Sequence, residues 1–163
     1  MYARACGCVL FVVSLYIFSN AQNPQLISSV CTFDDGRQIS VKYAPEPGSN
    51  QKLEEGKVWS PGNSPMFFFT SAPLAAGKSQ VPIGAFSMYL LRERKNWNLV
   101  LNKDVAGGSK YDERQDLLRA TMQTGQISEP QQFKVLFAHV APKQCNMRIY
   151  QGKTGAWIEF QEK

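Results

Sequence analysis

The clearest pattern along the chain is alternation with a period of two. In RQISVKYA, Ile39, Val41 and Tyr43 are separated by Ser40 and Lys42. Trp97, Leu99 and Leu101 alternate in NWNLVLN, and Leu118, Ala120 and Met122 alternate with Arg119, Thr121 and Gln123. Near the end, Ala156, Ile158 and Phe160 alternate with Trp157, Glu159 and Gln161. An extended backbone sends successive side chains to opposite faces, so each run predicts a strand with one face on a core and one toward water. MFFFTSA from Met66, AFSMYLL from Ala85 and FKVLFAHV from Phe133 are more continuously apolar and predict more deeply buried strands. Turn residues divide the runs at DDG, PEPGSN, AAGKS, AGGS and QGKTG. The expected fold is all-β, an antiparallel, jelly-roll-like β-sandwich of about 8–10 short strands. The best helical candidate, YDERQDLLRATM, reads as a strand from Leu117 and leaves room for one helical turn before it.

The N-terminal segment does not fit this alternation. Arg4 precedes an apolar run from Ala5 to Phe18, followed by Ser19, Asn20 and Ala21. A cation, a short apolar run and small residues before a cut make the pattern of a secretory signal peptide. The run is shorter than the roughly 20 residues that cross a bilayer as a helix. The expectation is a signal peptide over 1–21 and a single domain over 22–163, periplasmic or secreted, with no transmembrane segment in the mature chain.

Cleavage would also simplify the cysteines. Of four in the sequence, Cys6 and Cys8 would leave with the leader, and Cys31 and Cys145 would remain. In an oxidising compartment these two are expected to pair, and closing so long a loop stabilises by about 4–5 kcal/mol on the chain-entropy estimate. Such a bridge would make neighbours of the first mature strand and the strand around Asn146 to Tyr150. Without Arg4 the 18 cations become 17 against 13 acids, a net charge of +4. That is mild, and the cluster RERK at Arg92–Lys95 reads as a solvated hairpin turn, so no nucleic-acid partner is expected.

Several chemistries lack their residues. Nucleophilic catalysis of the hydrolase type uses a base beside Ser or Cys, and His139 is the single histidine. It ends a strand on the side of Phe133, Val135 and Phe137 and reads as a satisfied histidine at the core edge. Zinc sites need more His and Cys than one histidine and two distant cysteines. Asn102, Asp104, Asp112, Glu113 and Asp116 surround a glycine loop without the spacing of an EF-hand and read as hydrated acids. AAGKS ends like a phosphate loop, yet Ala72 stands where the first glycine is required and Pro82 follows where a helix should run. No metal and no cofactor are expected.

What remains is a binding surface. Trp59, Asn63, Tyr111 and Asp112 lie nearest turn chemistry and are the ligand-binding candidates. Each has a structural alternative, Trp59 as a core anchor and Tyr111 as the cap of a sheet end. Trp97, alternating with leucines, is expected to be buried and Trp157 exposed. The function so read is a non-catalytic module of the cell envelope that binds a small ligand, a glycan or a protein partner. The alternatives are a carboxylate-dependent, hydrolase-like enzyme and a structural protein that interacts through an edge strand.

Two blocks carry a family likeness. VPIGAFSMYLLRERKNWNLVLNKD, from Val81 to Asp104, and YDERQDLLR, from Tyr111 to Arg119, resemble the bacterial family known as domain of unknown function 2911. Its pattern of Pro-x-Gly-x-Tyr-Ser-Leu-Phe, a turn, Trp, an apolar run, Asn-Lys-Asp, then Tyr-Asp and Asp is met here by Pro82, Gly84, Phe86, Ser87, Met88, Tyr89, Trp97, Asn102, Lys103, Asp104, Tyr111, Asp112 and Asp116. With KVW at Lys57, the likeness runs from about Ile39 to Phe137. It implies an exported, mostly β protein and no particular activity. Two segments depart from the pattern. After Trp59 the family's Arg-Thr-Gly-Ala-Asn-Glu is replaced by Ser60, Pro61, Gly62, Asn63, Ser64 and Pro65, and the family's Tyr-Ser-Arg-Pro by Tyr43, Ala44, Pro45 and Glu46. Any anion grip made by those two arginines in relatives is missing here.

Overall fold

The computed structural model describes residues 25–45, 53–106 and 110–163. The expected signal peptide and its cleavage point lie outside the described residues. Eleven strands are formed within them: β1 (Ile27–Thr32), β2 (Gln38–Tyr43), β3 (Val58–Trp59), β4 (Met66–Thr70), β5 (Leu74–Ala76), β6 (Ser79–Val81), β7 (Gly84–Glu93), β8 (Asn96–Asn102), β9 (Asp116–Thr121), β10 (Gln123–Ala141) and β11 (Gln144–Glu162). A seven-stranded sheet runs β1-β2-β4-β7-β8-β9, with β3 also on β7, and a four-stranded sheet runs β10-β11-β5-β6. All ladders are antiparallel. The two sheets pack face to face as the alternation predicts. The chain changes sheet in blocks, where a jelly roll alternates nearly strand by strand. β10 and β11 are 19 residues each, far longer than the short strands expected, because bulges between Gln126 and Lys134 let the hairpin bend without ending.

The core is made by the alternating residues. Ile39, Val41, Phe68, Met88, Leu90, Leu99 and Leu101 from the larger sheet meet Leu74, Val135, Met147, Ile149 and Phe160 from the smaller. Phe68 and Phe160 touch across the layers with ring centres 5.3 Å apart. Each such side chain, fully removed from water, contributes about 1.5–3 kcal/mol before conformational entropy is subtracted.

The disulfide Cys31–Cys145 is present and closes a separation of 114 residues. Its strands are not neighbours in one sheet, however. Cys31 lies in β1, at the edge of the larger sheet, and Cys145 in β11 of the smaller, so the bridge ties one layer to the other. The β1–β2 turn is fastened to the same end, where the Asp34 amide donates to the Pro142 carbonyl at 3.0 Å. Arg37 lies 3.0 Å from the buried carboxylate of Glu162. His139 is at this end too, exposed, with Nε2 3.3 Å from Asp34. It is therefore an exposed histidine rather than one at the core edge, although its ladder partner Cys145 is buried.

One expectation about faces fails instructively. β8 is buried on both sides, Asn98, Val100 and Asn102 as fully as Trp97, Leu99 and Leu101. The side predicted to meet water is covered by the segment leading into β9, and this covered outer face carries the site described next.

Candidate functional site

Strand register fixes the rows of side chains on the outer face of the larger sheet. Ser87 pairs with Asn102, and Asn102 with Asp116. The next row is Tyr89, Val100 and Arg119, and the next Val58, Leu91, Asn98 and Thr121. Residues opposite one another in a ladder share a face, so three rows of mixed polar and apolar side chains stand side by side over β7, β8 and β9.

Asp116 is the centre of the first two rows. Its Oδ1 accepts from Asn102 Nδ2 at 2.8 Å, and its Oδ2 from the Tyr111 hydroxyl at 2.7 Å and Arg119 Nε at 2.6 Å. A guanidinium nitrogen of Arg119 also donates to the Tyr111 oxygen at 2.9 Å and reaches Glu113 at 3.2 Å. Asn102 extends the network, donating to the Asp112 carbonyl at 2.9 Å and accepting from the Asp104 amide at 2.9 Å. The Ser87 hydroxyl donates to the Asp104 carbonyl at 2.6 Å. The network thus fastens both ends of the connection between β8 and β9, and its members are mostly ionic or buried, the stronger class of hydrogen bond.

Tyr111 packs against Tyr89, its ring edge-on with centres 5.2 Å apart. Burial, and then the neighbouring Asp116, push its hydroxyl up to about 12, so it is a protonated donor at neutral pH. Burial likewise raises Tyr89. The hydrogen bond to Asp116 holds Arg119 further above its ordinary range. Asp112 takes a different part. Its carboxylate caps the 3-10 turn Glu113–Gln115 by accepting from the Arg114 amide at 3.1 Å. It also pairs with the Arg114 guanidinium at 2.8 Å, whose hydrogen bonds hold its carboxyl below the usual range.

Beside this network a cleft of about 400 Å³ opens, lined by Gly56, Lys57, Val58, Leu91, Tyr111, Glu113 and Arg119. Val58 and Leu91 give it an apolar side, while Tyr111 and Arg119, with Asp116 behind them, give it fixed polar groups. Sites for small ligands have this makeup, mostly apolar with a few oriented polar atoms. Among the described residues, no group of three or more His, Cys, Asp or Glu could hold a metal ion. No helix among them is long and apolar enough to cross a membrane.

Of the four residues singled out from the sequence, the structure brings Tyr111 and Asp112 together. Trp59 is in the core on the opposite face of the sheet, paired with Leu90 and edge-on to Phe133 at 5.0 Å. Asn63 is exposed on the 3-10 turn Pro61–Asn63, at a positive φ of 57°. Arg119, Lys57, Val58 and Leu91 were not anticipated. Their signal was position only, since Val58 and Leu91 are ordinary strand residues until register sets them in one row. Trp97 is buried as expected. Trp157 is half-buried, because its indole donates to Gln123 at 2.6 Å.

No curated protein and no solved structure matches this chain. A family does match. Ser87, Tyr89, Asn102, Asp104, Tyr111, Asp112 and Asp116, which carry the family likeness, come together in the contacts just described. Residues 31–160 match the family described as "Protein of unknown function (DUF2911)", and the chain belongs to that family.

Proposed function

We propose that this protein is an exported module of the bacterial cell envelope that binds a small polar ligand without transforming it, in the cleft between Val58, Leu91, Tyr111 and Arg119. The observation that carries the reading is the convergence of an apolar surface with the Tyr111 ring and the Arg119 guanidinium, both set in position from behind by one carboxylate. Asp116 divides its two oxygens among Asn102, Tyr111 and Arg119, which suits an anchor for donors better than a base or nucleophile. Side chains held in place before a ligand arrives lose little entropy on binding it.

Calorimetry and thermal-shift measurements against a panel of monosaccharides, amino acids and short peptides test the ligand part. Binding that weakens roughly tenfold in Arg119→Lys is expected, and no binding across the panel would count against the cleft. Export is tested separately. Fractionation followed by N-terminal sequencing is expected to find a mature chain beginning at Gln22, and an intact Met1 terminus on exported protein would refute it.

A further inference from the structure

A second cleft, of about 700 Å³, lies where edge strand β9, the β5–β6 hairpin and β11 approach one another. Trp157 is one of its walls, and its indole is set in place twice. Nε1 donates to Gln123 Oε1 at 2.6 Å. The ring lies over Gly125, where an added Cβ would stand 3.3 Å from the indole carbon Cη2. Both contacts come from β10, so the ring is fixed without any ligand. Around it stand Gln123, Gln161, Glu159 and Lys78.

Arg119 lines this cleft as well as the one beside Tyr111. The two depressions therefore share a wall residue on β9, and a ligand passing that residue would follow a path from one to the other. From Arg119 to Gln123 the chain spans at most about 14 Å, which is longer than one sugar ring.

We infer that this path is a groove for a neutral oligosaccharide, with one pyranose ring stacked on Trp157 and the chain passing Arg119 toward Tyr111. An indole face suits the C–H face of a sugar ring, while amides and a carboxylate suit its hydroxyls, which both donate and accept. Lys57 is paired with Glu54, and Arg119 with Asp116 and Glu113, while Lys78 and Lys163 stand near Glu159, so cations and acids along the path balance and it does not select an ion. A peptide adding to the edge of β9 fits less well, because β6 packs beside that edge. The inference rests on the reading of the molecule as a binding module, and it names the ligand class and a second contact point.

The test is an NMR titration of the mature domain with neutral β-1,4-linked glucose and N-acetylglucosamine oligomers, from the disaccharide to the hexasaccharide. Because Trp59 and Trp97 are buried, the indole N–H of Trp157 is the reporter. It is expected to move together with the amides of Gly125 and Arg119, and affinity is expected to rise with chain length. Trp157→Ala should weaken the longer oligomers roughly tenfold. Gly125→Ala, which displaces the ring but keeps it, should weaken them by less, and the spectra of both variants report that the fold is retained. Shifts confined to Tyr111 and Leu91, insensitive to length and to Trp157→Ala, would overturn the groove and leave the small-ligand cleft standing. A Trp157 signal that stays still with every saccharide, or moves only with peptides, would also overturn it.

Discussion

Two places in this sandwich hold chain segments against the sheets, and they do so by different means. At the end where the β1–β2 and β10–β11 turns meet, a covalent bridge joins the layers, supported by the pairing of Arg37 with Glu162. On the outer face over β7 to β9, hydrogen bonds converging on Asp116 hold the strand connection without any covalent link. The first region constrains the unfolded chain by shortening its accessible ensemble. The second acts wholly in the folded state and depends on protonation. The cleft stands beside the second, so the groups that line it are held by the reversible device.

Breaking each region should reveal that difference. The largest effect is expected at the bridge, where Cys31→Ser with Cys145→Ser should lower unfolding free energy by about 4–5 kcal/mol, read by urea denaturation. Added reductant should reproduce that loss in the wild-type chain and have no effect on the double variant. Asp116→Ala should come next at about 3 kcal/mol, because it leaves the Tyr111 hydroxyl and one Asn102 N–H without an acceptor and removes the nearer partner of the Arg119 charge. Its loss should be accompanied by faster hydrogen exchange around Tyr111, while the bridged end is unchanged. Arg37→Ala should cost about 1–2 kcal/mol, less than a fully buried pair because Arg37 itself is 37% exposed.

Tyr111→Phe should be the mildest, at about 1–2 kcal/mol near neutral pH. Its value lies in the pH dependence. The folded state holds the Tyr111 proton more tightly than the unfolded chain, so the associated stability is complete below the ordinary tyrosine value near 10. It is then lost as pH rises toward about 12. The wild-type chain should therefore lose stability across that window more steeply than the Phe variant, and ultraviolet difference titration should find one phenol ionising last. An identical pH dependence in the two proteins would show that Tyr111 does not titrate as the contacts require.

Much of the frame was legible in the sequence because it depends on a simple period. Ile39, Val41, Leu99, Leu101, Ile158 and Phe160 all face the core that alternation assigns them. Alternation says nothing of what covers the other face, and so the burial of Asn98 and Asn102 was not visible. The pairing of Cys31 with Cys145 followed from elimination, but that they belong to different sheets depends on topology. At the site, Tyr111 and Asp112 stood out through turn chemistry and family likeness. Arg119 did not, since in LLRATM it looks like any strand cation facing water, and only the register beside Val100 sets it next to Tyr111. Trp59 drew attention for its loop, yet its position opposite Leu90 puts it on the core side of a two-residue strand.

The position of the disulfide also has a meaning in time. Cys31 belongs to the first strand made and Cys145 to the last, 114 residues later. Until Cys145 is made, the other cysteines of this sequence that Cys31 could meet are Cys6 and Cys8. Thiol–disulfide exchange takes whichever partner is accessible. If the N-terminal segment is removed early, as the proposed export requires, both wrong partners leave before the right one arrives, and the order of processing and oxidation then helps to select a single covalent form.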